Sequence, residues 1–73
     1  MHHIELVTVL KERREALGIT QAHLAELADV SLRTLKALEV GKANPTLETI
    51  AKLTEVLGMD LKLQVKGPQR NKE

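Results

Sequence analysis

The 73-residue sequence predicts a mainly α fold, four helices followed by one β-strand. Three observations carry the prediction. Apolar residues recur at helical spacing in four segments. Thr20, Ser31 and Thr46 precede three of these segments as N-caps, and Gly18, Gly41 and Gly58 stand at helical ends. From residue 59 the pattern changes to strict alternation.

The first helix covers about 5–17, where Leu6, Leu10 and Leu17 share a face and Arg14 takes the place of a further apolar residue. The β-branched run 4–9 weakens its first turns. Gly18 ends it as a left-handed cap, with Ile19 packed beneath the turn. Thr20 opens the second helix, which buries Leu24, Ala25 and Ala28.

Asp29 and Val30 form the bend, and Ser31 caps the third helix, anchored by Leu35 and Leu38. Leu32, Arg33, Lys36 and Ala37 are then left largely outside. After the loop 41–45, Thr46 caps a fourth helix that ends at Gly58 and carries the stripe Leu47, Ile50, Leu53 and Leu57. Thr49 stands where a capping box places an acid or amide, so Glu48 alone complements the positive end of this helix.

Met59, Leu61, Leu63 and Val65 alternate with Asp60, Lys62, Gln64 and Lys66, the pattern of a strand with one apolar face. A lone strand exposes that face and leaves its backbone groups unpaired. Pairing with the same strand of a second copy, in a homodimer, resolves both problems; the alternative is closure against the first residues of its own subunit. The expected organisation is one domain, 1–66, with a dimerisation strand at 59–66 and a flexible polar tail at 67–73.

With 42% apolar and 29% charged residues the composition is that of a folded soluble protein. No apolar run approaches the roughly 20 residues that span a bilayer. The absence of cysteine excludes disulfides and thiolate metal sites. The start has no basic segment followed by an apolar signal core, so the expected location is cytoplasmic.

Residues 20–41 read as two short helices joined by a tight turn, the layout of a helix-turn-helix that can place its second helix in the major groove of DNA. The net charge of +1 offers little general attraction to phosphate, so a local patch at Arg33, Lys36 and Lys42 must supply it. The absence of Phe, Tyr and Trp removes the stacking platforms of single-strand binders. Double-stranded DNA is the expected partner, and a two-fold dimer suits an inverted repeat.

The stretch from Leu6 to Met59 resembles the Cro and phage-repressor family of helix-turn-helix proteins, also called the xenobiotic-response-element family. Its carriers are 10–14 before Gly18, Ile19, Thr20 and Gln21, then Leu24, Ala25, Val30, Ser31 and Leu35, then 39–42, 44–47, Leu57 and Gly58. The resemblance implies a lambda-repressor-like four-helix DNA-binding domain. It also implies an ion pair between Arg14 and Glu39, joining the first and third helices. A terminal strand in place of the family's usual fifth helix resembles the HipB-type antitoxins, whose C-terminal strands pair across a dimer. Asp29 departs from the family's frequent turn glycine but tolerates the left-handed conformation. Leu32 and Ala37 depart from its usual polar readers.

The candidate base-contacting residues are Leu32, Arg33, Lys36 and Ala37. Arg33 can donate two hydrogen bonds to guanine, with a phosphate contact or solvated surface as the alternative. Leu32 can meet a thymine methyl or simply cover the turn, Lys36 can instead meet a phosphate, and Ala37 permits close approach. The candidate backbone contacts are Thr20, Gln21, Ser31, Thr34 and Lys42. Gln21 joins its amide to the free N–H groups of a helix start, while Ser31 is a cap first. Leu27 and Val56 are apolar where the family is often polar, and can extend a dimer or partner surface.

His23 stands alone and His2 and His3 lie at a terminus, so neither metal nor cofactor is expected. The parts of an enzyme are missing from the pattern: no glycine-rich phosphate loop, no cysteine and no metal cluster. The expectation is a homodimeric transcriptional regulator, a repressor on a short inverted repeat. The alternative is an antitoxin that holds a toxin protein and autoregulates its operon.

Overall fold

A computed structural model describes residues 3–66, which form α1 His3–Ala16, α2 Gln21–Ala28, α3 Leu32–Glu39 and α4 Leu47–Leu57. The tail expected at 67–73 lies outside the described residues. Packing α2 against both α3 and α4, and α1 across α3 and α4, encloses one core. Leu24, Leu35, Leu53 and Leu57 are its most deeply buried large side chains, one or two from each of α2, α3 and α4. Each contributes about 1.5–3 kcal/mol of transfer free energy relative to an exposed position.

Local chemistry sets the helix starts. The Thr20, Ser31 and Thr46 hydroxyls accept from the N–H of His23, Thr34 and Thr49 at 3.0, 3.0 and 3.1 Å, each taking up a donor the helix cannot satisfy itself. The helix ends share one device. The N–H of Ile19, Val30, Lys42 and Met59 reaches back to the carbonyl of Arg14, Ala25, Ala37 and Thr54, five residues earlier, at 2.9–3.2 Å. Such a closure turns the chain through a left-handed residue, here Gly18, Asp29, Gly41 and Gly58. Ile19, Val30 and Met59, just past three of those turns, pack against the core.

The structure differs from expectation at four places. Helix α1 starts at His3 and runs through the β-branched run, because Val7, only 4% exposed, gains more from packing than its branching costs. Leu17 falls beyond α1 and is 46% exposed, and Leu47 opens α4 at 72% exposure, so neither belongs to the core. Thr54 instead lies buried on α4 and donates to Ala51 O at 3.0 Å, which satisfies its hydroxyl within the helix.

The fourth difference concerns the expected strand at Met59, Leu61, Leu63 and Val65. Residues 59–66 form no strand among the described residues, since a ladder needs a neighbour and none runs beside them. Among the described residues no strand closes against the start of its own subunit, because residues from His3 onward are helical. Leu61 and Leu63 instead line a groove with Leu6 and Val9 of α1. Leu63 is 98% and Val65 83% exposed.

Candidate nucleic-acid interface

Helix α3 stands with Leu35 and Leu38 in the core and its opposite face in solvent. Arg33, Thr34 and Lys36 are exposed, Leu32 reaches 36% exposure and Ala37 is half-buried. The four candidate base contacts therefore lie on the outward side, with Ala37 nearest the core. The side chains of Arg33, Lys36 and Lys42 make no hydrogen bond or ion pair among the described residues. Their charges are free for an anion.

The turn between α2 and α3 is held from both sides. Asp29 adopts φ 58°, a conformation that costs L-residues about 1–2 kcal/mol and that Asp tolerates better than most. From α4, Lys52 Nζ lies a long 3.5 Å from the Asp29 carbonyl and 3.8 Å from Glu48, bringing a cation to the negative end of α2. Across α1 and α4, Arg13 Nε donates to the Leu57 carbonyl at 2.9 Å, which serves the end of α4 in the same way. Neither bridge has a local sequence signal; only the general need of helix ends for cations points to them.

The hydroxyls differ in what they can still do. Ser31 accepts from the Thr34 N–H and donates its own hydrogen to Thr34 Oγ1 at 2.8 Å. One hydroxyl hydrogen is used between the two oxygens, and the other hydroxyl of the pair keeps a free donor. Thr20 only accepts, so its O–H is likewise available. Thr20, Ser31 and Thr34 all stand exposed at the two helix starts.

At the base of the motif Arg14 faces Glu39. Arg14 Nε donates to Glu39 Oε2 at 2.7 Å and a terminal nitrogen donates to Oε1 at 3.0 Å, a two-pronged pair. Arg14 also donates to the Ile19 carbonyl at 2.7 Å, tying the α1–α2 turn to α3. Both side chains are nearly buried, 11% and 5% exposed. Burial pushes the Glu39 carboxyl up, but hydrogen bonds from Arg14 and Gln21 and the charges of Arg14 and Lys11 hold it below the ordinary carboxylate value. The Glu39 hydrogen bond raises the Arg14 guanidinium further, against burial, which lowers it. The one acid on α3 is thereby neutralised within the protein.

Gln21 joins this cluster, which sequence reasoning missed. Its Nε2 donates to Glu39 Oε1 at 2.9 Å, while the side chain remains half-exposed at the start of α2.

Residues 10–64 match the family model described as helix-turn-helix. Among relatives, an HTH-type transcriptional regulatory protein of Methanocaldococcus jannaschii is 44% identical over 59 residues, 81% of this chain and 18% of that protein. An uncharacterized HTH-type transcriptional regulator of Methanothermobacter thermautotrophicus is 38% identical over 53 residues, 73% of this chain and 77% of that one. YonR, a prophage-derived HTH-type regulator of Bacillus subtilis, is 33% identical over 58 residues, 80% of this chain and 54% of its own length. The matched part thus spans under a fifth of one relative and about half of another. No helix among the described residues is long and apolar enough to cross a membrane.

Proposed function

The chain belongs to the helix-turn-helix family of the Cro/C1 type, and on that premise we propose that it acts as a homodimeric repressor on a short inverted repeat. At the coarser level it is a DNA-binding transcriptional regulator. The observation that carries the finer reading is the outward face of α3, where Arg33 and Lys36 are exposed and unpaired while Glu39 is neutralised. In this reading α3 enters the major groove. Arg33 reads a guanine, Leu32 meets a thymine methyl, and Lys36 and Ala37 complete the base-facing side. Thr20, Gln21, Ser31, Thr34 and Lys42 hold phosphates on the two flanks and set the register.

Dimerisation through 59–66 is supported by what that segment lacks. Beyond the Met59 N–H, none of its backbone groups is bonded to backbone among the described residues, and Leu63 and Val65 are exposed. Pairing with the same segment of a second copy satisfies both needs and supplies the two-fold axis that an inverted repeat requires. The domain then runs over 1–66. Selection from a random duplex library tests the whole reading: it predicts an enriched inverted repeat with half-sites about one helical turn apart. Enrichment of a single unrepeated site would contradict the dimer, and no enrichment would contradict DNA reading.

The second reading, an antitoxin that also holds a toxin protein, draws on Leu27, exposed at 54% on the outer side of α2. It predicts that the product of the neighbouring gene co-purifies with the untagged chain; repeated absence of such a complex speaks against it.

A further inference from the structure

The Gln21–Glu39 hydrogen bond does more than add to the ion pair. A carboxylate only accepts, so Glu39 forces the Gln21 amide to turn its nitrogen toward it. Phosphate oxygens likewise only accept, and an amide free to rotate would present either its nitrogen or its oxygen to them. Glu39 is itself held by two bonds from Arg14, at 2.7 and 3.0 Å, so the atom that fixes Gln21 is fixed in turn. We infer that Glu39 is a positioning residue for DNA binding: it locks the Gln21 amide so that the remaining N–H serves the DNA backbone. The inference rests on the phosphate role proposed for Gln21.

It carries an unusual sign. Removing an acid from beside DNA ordinarily tightens binding, because it reduces repulsion of phosphate. Here removing Glu39 releases Gln21 and loosens it. The effect acts through Gln21 alone, so it disappears when Gln21 is gone.

A double-variant cycle tests this, with a duplex enriched by the wild-type chain as the probe and affinities read at one salt concentration. Gln21→Ala and Glu39→Ala should each weaken binding on the order of tenfold, and the double variant no further than either alone. Tighter binding by Glu39→Ala, or losses that multiply in the double variant, would overturn the inference and leave the DNA-binding reading standing. Glu39→Asp keeps the charge and withdraws the carboxylate by one methylene, so it replaces Glu39→Ala if that variant does not fold; the same loss and the same dependence on Gln21 are expected. The NMR exchange of the Gln21 side-chain amide gives a readout without DNA. One of its two hydrogens should be protected in the wild type and neither in Glu39→Asp; equal exchange in both proteins contradicts the lock. If the wild-type chain enriches no duplex, the DNA-binding reading falls, while the exchange experiment still decides whether Glu39 fixes the amide.

Discussion

Arg14 and Glu39, 25 residues apart in the chain, meet through a 2.7 Å hydrogen bond that fastens α1 to the end of α3. The bond places a neutral pair where an unpaired acid would otherwise stand on the helix proposed to face DNA. Because both partners are nearly buried, removing one leaves the other as an uncompensated charge, and that penalty exceeds the net worth of the pair.

Glu39→Ala should therefore lower stability by about 3 kcal/mol, read as a smaller free energy of urea unfolding. Replacing both residues with apolar side chains of similar volume should recover most of the loss. A Glu39→Ala protein as stable as the parent would show that the pair is solvated.

The pH dependence follows from the direction of the Glu39 shift. Its folded pKa lies below its unfolded value, so the contribution is complete above about pH 4.3 and is lost as pH falls through the folded pKa. Urea midpoints measured between neutral and strongly acidic pH should fall on the acid side, and Glu39→Gln should flatten part of that fall. A Glu39→Gln protein with an unchanged acid slope would assign the slope to other carboxyls.

At the α2–α3 turn the strain at Asp29 can be tested directly. Asp29→Asn should cost only a few tenths of a kcal/mol, whereas Asp29→Val, β-branched at φ 58°, should cost about 2 kcal/mol. Thermal melts of the two variants should separate by several degrees. Coincident melts would mean the turn rearranges.

These residues also show what the sequence makes legible. The caps Thr20, Ser31 and Thr46 and the left-handed Asp29 are local matters, decided by a residue and the four or five after it. The buried faces of α2 and α3 follow from spacing within one helix. Leu17 and Leu47 are misjudged, and Val7 is passed over, because which way a helix end turns depends on the neighbours it meets. The bonds from Arg13 to the Leu57 carbonyl, from Lys52 to the Asp29 carbonyl and from Gln21 to the Glu39 carboxylate join groups 44, 23 and 18 positions apart, and no periodicity records them. The pattern at 59–66 specifies an apolar face but not the strand that would cover it.

For the proposed dimer, Leu63→Asp is the informative change. The side chain is 98% exposed in the single chain, so a charge there costs the monomer nothing. If two copies pair along this segment, the variant should have half the parent's mass by light scattering. An unaltered mass would place the interface elsewhere.

The central claim is that the outer face of α3 reads base sequence, and comparing the base preferences of Arg33→Ala and Lys42→Ala tests it most directly. Arg33→Ala should lose about 1–3 kcal/mol of discrimination at one position in each half-site and bind the remaining positions with unchanged preference. Lys42→Ala should weaken every sequence alike and reduce the salt slope by about one. An Arg33→Ala profile identical to the parent's at every position would contradict the account.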